Sequence, residues 1–429
     1  MRRLIYIFII GLLLCSYTWA DGSRYASNSL LSEGKWVKIR VDKTGIYKLS
    51  YADLKNMGFS DPSKVSVHGY GGWPLDEDFS KEYIDDVPST PVWRGSDYLL
   101  FYGKGSVKWE YDSSSQTFVH TNNPYSLYGY YFVTDATPTN DMTSVAQASG
   151  ASTRITTYDD YLLHEQELVS VNQSGREFFG EDFSGARPRT ISTFSSIPGI
   201  TGADGKVTMR FISRINSGSG TASLSINDSE LLDITIPSIQ TASSNVRSYT
   251  KAIPGTTTAL WKGSKSEKNN VVVSYSSSGH TNVRLDYIRM QFVRTLRPYG
   301  ACTFFRSLTS VGNASRFVIS EANSNTLVFD VTDALNVKRV EADLNGSELS
   351  FTIPAGRLRE FVLVQTNQTF PSPEVVGEVA SSNLHGLEQR DMIIISAPSL
   401  VQQAERLAVA HREKDGLTVE VVTPEAIYN

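Results

Sequence analysis

The residues that could do chemistry in this 429-residue chain are few and scattered. His68-Gly69-Tyr70-Gly71-Gly72-Trp73 is the most distinctive local run, because its glycines could let the backbone approach a ligand closely. It has neither the lysine nor the following helix of a phosphate loop. It therefore reads as a glycine-bent corner between strands, held by Tyr70 and Trp73. Asp76, Glu77, Asp78, Asp85 and Asp86 share the 76–86 loop and offer oxygen ligands to calcium. Their spacing departs from D-x-[DN]-x-[DN]-G, so a solvated acidic turn is the expectation. Cys302 could act as a nucleophile only if a base or a charge activated its thiol. Within Ala301-Cys302-Thr303-Phe304-Phe305 neither is at hand, and it reads as a small buried apolar side chain.

Histidines stand at 68, 120, 164, 280, 385 and 411, without H-x-x-H or His/Cys metal spacing. Asn172, Asn227, Asn313, Asn345 and Asn367 each begin an N-x-[ST] triplet, which Ser/Thr-rich sequence produces by chance. From these residues no catalytic, cofactor or metal constellation can be assembled.

The elements that would position such residues are mostly strands. Val37, Ile39 and Val41 alternate with Trp36, Lys38 and Arg40, a half-buried strand pattern. Asp42-Lys43-Thr44-Gly45 is a turn into a partner strand, and Ser50 with Asp53 caps a short helix that stops at Gly58. Further strands are predicted at Lys64–Val67, Asp97–Tyr102 and Tyr128–Thr134. Residues 158–298 alternate short strands with turns such as Ser217-Gly218-Ser219-Gly220, as in a jelly-roll-like sandwich. A smaller β unit follows at 299–368, where Asn345-Gly346 is a strong hairpin signal. Pro371, Pro373 and the polar run to His385 read as an extended linker, 369–390.

From Asp391 the pattern changes. Met392–Ser396 (MIIIS) is a continuous apolar run, expected of a strand buried on both faces of a parallel sheet. Ser399 with Gln402 fits a capping box. Leu400, Ala404, Leu407, Ala408 and His411 recur at helical spacing, with His411 near the helix end, where it suits the dipole. Gly416 fits the C′ position. Leu417–Thr423 reads as a second strand and 424–429 as the opening of another helix. A lone βαβ unit leaves a sheet uncovered, so the expectation is a chain that stops inside a longer protein's domain. The predicted fold class is thus mainly β. Tandem β-sandwich or β-rich domains (21–157, 158–298 and 299–368) precede the first βαβ unit of an α/β domain (391–429).

Composition sets outer bounds. Apolar content is 40% and charged content 20%, ordinary for a globular chain. Arg2 and Arg3, the apolar stretch Leu4–Leu14 and Thr18-Trp19-Ala20 read as a secretory signal over residues 1–20. Cys15 follows Leu14, too large a residue for a lipid-attachment signal. Beyond residue 20 the balance is 38 basic to 45 acidic residues, or −7, which gives nucleic acid no electrostatic footprint. Only Cys302 then remains, so no intrachain disulfide can form.

Two blocks carry a resemblance. Lys35-Trp36-Val37-Lys38-Ile39-Arg40-Val41, Thr44-Gly45-Ile46-Tyr47-Lys48-Leu49 and the Gly69-Tyr70-Gly71-Gly72 corner resemble the N-terminal domain of type IX secretion system C-terminal signal peptidases (sortases). Asp391-Met392-Ile393-Ile394-Ile395, Gln403-Ala404-Glu405-Arg406-Leu407-Ala408, His411-Arg412, Lys414-Asp415-Gly416-Leu417 and Val421-Val422-Thr423-Pro424-Glu425 are similar to the opening of a gingipain-like cysteine peptidase domain, a caspase-like α/β fold. The resemblance implies a cell-surface, outer-membrane-associated enzyme of Gram-negative, Bacteroidetes-type bacteria. Such an enzyme removes C-terminal sorting signals from secreted cargo and can join the new carboxyl end to anionic lipopolysaccharide. Its partners would be cargo proteins and outer-membrane type IX secretion components. The chemistry implied is acyl transfer, with a thiolate attacking the scissile carbonyl and a histidine shuttling the proton. The family's dyad lies downstream of the βαβ opening and no position here matches it. No catalytic residue is carried over, and the chain alone is expected to be inactive. The rival expectation is a non-enzymatic exported β-rich protein that binds glycan or a surface partner.

Overall fold

A computed structural model describes residues 25–429 apart from 79, 82–83, 172–174, 176, 186, 216–217, 240–251, 264 and 278–280. The expected signal at 1–20, His280 and Asn172 lie outside the described residues. The fold is mainly β.

The first unit packs two sheets. One runs in the order Glu374–Val379, Trp36–Val41, Gly129–Thr134, Ser66–Gly71, Ser89–Thr90; the other in the order Gly45–Ser50, Tyr98–Gly103, Val92–Arg94. The alternation foreseen at 36–41 sends Val37, Ile39 and Val41 into a core with Tyr47, Leu49, Leu99, Phe101, Tyr131 and Val133. Ser50 and Asp53 form the expected capping box on the helix Tyr51–Asn56, and Gly58 follows at φ +93°.

The second unit is a sandwich of two four-stranded antiparallel sheets. Thr157–Glu165, Thr281–Thr295, Gly205–Ile215 and Ile253–Trp261 face Arg189–Thr190, Val271–Ser277, Ser219–Ile226 and Ser229–Pro237. Its core includes Val207, Met209, Phe211, Leu224, Val273, Leu285 and Met290.

In the third unit Ser315–Ile319 and Glu348–Ile353 face Thr326–Asp330, Phe361–Gln365 and Cys302–Phe305, around Phe305, Phe317, Phe351 and Phe361. The Asn345-Gly346 hairpin forms as expected, with Asn345 opposite Glu348 and Gly346 at φ +61°.

The units share their chain segments and their sheets. Ser144–Val145 and Thr153–Ile155 fall in the stretch assigned to the first domain, yet pair in parallel with Lys338–Val340 and Ser315–Ile319 of the third. Residues 369–390, expected as a linker, contain Glu374–Val379, which pairs antiparallel with Trp36–Val41 as an edge strand. Pairings across some 160 to 340 residues leave no local sequence pattern, and this is why reading along the chain placed both segments elsewhere.

Two-sided burial occurs within the β units. Along Tyr98–Gly103, Leu99 and Phe101 enter the first core, while Leu100 and Tyr102 enter a second layer shared with Phe329, Val362 and Val364. Phe361–Gln365 is buried at every position because Phe361 and Leu363 serve the third core from its opposite face. These continuous apolar strands lie at the middle of stacked layers, where both faces meet a core.

At the C-terminal end Met392–Ile395 pairs in parallel with Val419–Val422, connected through the helix Val401–Lys414. The βαβ order, Gly416 at φ +68° and the helix Pro424–Tyr428 match expectation. Two details differ. Ile393 and Ile395 are 61% and 63% exposed, so the strand is covered on one face by the described residues and not on both. Leu400 is the N-cap and no side chain caps the helix; a short 3₁₀ turn, Pro398–Leu400, precedes it in place of the Ser399/Gln402 box. Pro398 starts that turn, which carries Ser399 past the capping position. Among the described residues no helix is long and apolar enough to cross a membrane.

Candidate functional site

The His68–Trp73 run is built around a lysine that sequence reading did not connect to it. Ser66–Gly71 bends at Gly69 (φ +131°) and Gly71 (φ +85°). A Cβ on Gly71 would stand 2.6 Å from Tyr131 Oη and 2.8 Å from Lys104 Cβ, so close backbone approach requires glycine there. The Lys104 main chain is held on both sides: its N–H donates to Tyr131 Oη (2.8 Å), and its carbonyl accepts from Gly72 N–H (2.9 Å). Its ammonium lies 3.6 Å from the centre of the Tyr70 ring and 4.8 Å from that of Trp73. Lys104 is 3% exposed, and burial pulls its pKa down to about 7, against the attraction of Asp333. The glycine corner is therefore the wall of an aromatic cage for a buried amine.

His68 is a core residue. Its ring contacts Ser66 Oγ, Thr137 Oγ1 and the Val87 carbonyl, and burial lowers its pKa.

The acidic loop divides into two jobs. Asp76 pairs with Lys81 at 2.6 Å and Asp78 accepts from Ser80, an exposed local turn. Asp85 accepts from Ala26 N–H, and Asp86 accepts from Ser29 Oγ and Leu30 N–H, tying the 3₁₀ turn Leu30–Ser32 to the first sheet. Among the described residues no His, Cys, Asp or Glu cluster could hold a metal.

Cys302 lies in the layer between the first and third units, where burial pushes its thiol up to about 12. A thiol so far from ionisation is a poor nucleophile. His411 Nδ1 contacts Asp415 Oδ2 one turn on, at 2.6 Å, and His385 stands 3.7 Å from Asp85. Neither is near Cys302 in any recorded contact.

The remaining histidines mark sites not foreseen from sequence. The hairpin Val107–Asp112/Thr117–Asn122 docks on the second sandwich. Trp109 stacks on Tyr161 (3.9 Å), the Phe118 N–H donates to Gln291, and His120 Nε2 meets Glu165 at 3.2 Å. Nearby, burial and Glu165 push Glu167 up to about 7, and burial pushes Asp286 up to about 6 despite its pairing with Arg210. Arg306, 2% exposed, joins all three units: it pairs with Glu360 of the third (2.6 Å), donates to the Asp159 carbonyl (3.1 Å) and lies over the Tyr161 ring (4.3 Å) of the second, and stands 5.8 Å from the Phe118 ring of the docked hairpin. His164, in turn, contacts Glu181 and Thr193 at 2.8 Å each, beside a polar cavity. The only sequence signal for these positions is a strand that carries charged residues at its two ends, Asp159 and Asp160 at one and His164 and Glu165 at the other. That signal cannot distinguish a solvated face from a covered one.

Comparison with known proteins places this geometry. Residues 385–429 match the model of peptidase family C25. No curated protein matches the chain. The crystal structure of dimeric latent PorU from Porphyromonas gingivalis is similar over 95% of the chain, with a TM-score of 0.83 and 34% identity. The chain spans 38% of that protein's length. A carbohydrate-binding module of a Cellvibrio mixtus lichenase is matched over 34% of the chain and 92% of its own, at 13% identity. Its TM-score of 0.16 carries no inference.

Proposed function

From a chain that is a PorU-like, gingipain-type N-terminal portion, we propose the β-domain part of a surface cysteine peptidase that removes C-terminal sorting signals from type IX cargo. The observation that carries this reading is the likeness to latent PorU across 95% of the chain. In this reading the β units hold the cargo or the outer-membrane secretion components, and the 385–429 segment begins the catalytic domain. The covalent step is attack of a thiolate on the scissile carbonyl; the peptide C–N bond breaks, the amine of the sorting domain leaves with a proton from the histidine, and the thioester acyl-enzyme is resolved by water or an amine, including one on anionic lipopolysaccharide, which releases the thiol. Cys302 takes no part in it, since it is half-buried and desolvation pushes its thiol up to about 12. Export, by a signal over residues 1–20, and residence at the surface of a Gram-negative cell belong to the same proposal.

The test is deletion of the encoding gene in the source bacterium, followed by mass spectrometry of secreted cargo C-termini. Cargo that keeps its sorting domain, and loses it again on complementation, is the expected result. Normally trimmed cargo in the deletion strain would sink the proposal.

A further inference from the structure

Before the C25-like segment begins, the chain returns to the first unit. Glu374–Val379 pairs with Trp36–Val41, and residues 385–429 leave from its end. Residues 26–32 lie across this exit as a strap. One side of the strap is fastened to the first unit: Asp86 accepts from Ser29 Oγ (2.8 Å) and Leu30 N–H (2.7 Å), and Asp85 accepts from Ala26 N–H. Leu31, 2% exposed, packs with Trp36, Val87 and Phe132, and Val379 rests against the same cluster. The other side grips the exit. Asn383 accepts from Ser29 N–H (2.9 Å) and donates to Asn28 Oδ1 (2.8 Å), while Ser382 N–H donates to the Leu31 carbonyl (3.1 Å). A Cβ on Gly386 would stand 3.0 Å from Asn28 Oδ1, so the C25-like segment starts pressed against the strap.

A second anchor holds the far end of the segment. Lys38 points away from the core that Val37 and Ile39 enter, by the alternation of the strand. Its ammonium lies 4.7 Å from the centre of the Tyr130 ring and 5.6 Å from that of Phe132. From there it donates to Asn429 Oδ1 at 2.6 Å. Glu425 stands one turn before Asn429, on the same side of the helix Pro424–Tyr428, and its charge acts on Lys38 against the burial that lowers the lysine pKa. Both anchors share one face of the first sheet, since Phe132 meets Leu31 and Lys38 alike. A segment held at one end pivots there, and a second anchor at the other end removes the rotation. Each anchor is modest alone, but once one is made the other closes within the same molecule, at high effective concentration.

We infer that this face of the first β unit is a seat for the chain's own 385–429 segment, gripped at one end by the 26–32 strap and at the other by Lys38. The seat fixes the direction in which the segment leaves the β units. Cargo and secretion components are then left to the second and third units. The inference concerns orientation and survives failure of the peptidase reading.

The test is double electron–electron resonance on the full chain, with nitroxides attached through p-acetylphenylalanine at Lys55 and Arg406, both exposed. One narrow distance distribution is expected. Asn383→Ala removes the side-chain bonds to the strap, and Lys38→Met keeps the stem across the rings while losing the bond to Asn429. Neither position is buried, and labels at Lys55 and Asp135, both within the first unit, should stay narrow in each variant. Between Lys55 and Arg406 the distribution should broaden roughly twofold or more once either anchor is cut. A broad distribution in the unsubstituted chain, or an unchanged width in both variants, overturns the seat.

Discussion

Replacing Lys104 with methionine should stabilise the first β unit at low pH and flatten its pH dependence. In the folded protein the amine is 3% exposed and titrates near 7, against about 10.5 in an unfolded chain. Below pH 7 both states carry the proton, and the folded state bears the full burial cost of the charge. At 1.36 kcal/mol per unit, a fall of 3.5 units corresponds to about 5 kcal/mol. Contacts of the charged amine with Tyr70 and Trp73 act within that figure, since the shift is the whole difference between the two protonation states. Between pH 7 and 10.5 the unfolded chain binds the extra proton, so stability rises with pH across that window and is flat below it. Methionine keeps the stem and places a thioether against the same rings without a charge. The assay is hydrogen exchange by mass spectrometry on peptides covering 66–73 and 98–105, at pH 6, 7, 8 and 9, corrected for intrinsic rates. Local opening free energy should be up to about 5 kcal/mol higher in Lys104→Met at pH 6, the gap closing as pH rises. Parallel pH profiles for the two proteins, or a variant that opens more readily at pH 6, would refute the reasoning.

Two other outcomes follow from buried charge. Arg306→Ala strips the counter-charge from Glu360 and leaves the Asp159 carbonyl unbonded at the meeting point of three units. Breaking a buried pair from one side costs about 3–5 kcal/mol, and denaturation should show the second and third units unfolding at lower urea. Glu167→Gln should stabilise the docked hairpin above pH 7, where the carboxylate is ionised beside Glu165, and do nothing below about pH 4.5, where both states are protonated. Protection of residues 107–122 against proteolysis at pH 8 and pH 4 reads this directly. Equal protection of the two proteins at pH 8 counts against the cluster.

Local features of the fold were legible because their physics is local. Ser50 and Asp53 cap a helix three residues apart, Asn345-Gly346 turns a two-residue hairpin, and Gly416 ends the C-terminal helix, each by rules that span a few residues. Alternation at 36–41 named a buried face correctly because one face of that strand meets a core. At Met392–Ile395 the apolar run forms its strand, and one face stays uncovered among the described residues, as expected of a lone βαβ unit. An apolar run records which surfaces a strand can bury, and the neighbouring elements decide which it does.

The candidate sites were legible only in their harmless parts. Cys302, expected as a small buried apolar side chain, is half-buried against the layer between the first and third units, while the burial of His68 had no signal in its neighbours along the chain. Lys104 stands 31 residues from Trp73 in the chain, and nothing in either segment announces that glycine-lined backbone will enclose the amine. Glu181 and Arg284 lie about a hundred residues apart and become neighbours only through the pairing of Asp182 with Arg284 across the sandwich.

By itself, then, the sequence determined the class of this protein: β-rich units, a βαβ opening, and a single cysteine beyond residue 20. Tertiary structure alone decided that the 374–379 segment is a strand of the first sheet, that a corner of glycines surrounds a buried amine, and that a polar cavity opens in the second sandwich. The reason is range. Caps, turns and alternation act over a few residues of chain, whereas desolvation, ion pairing and cavity shape depend on distances in space that folding sets.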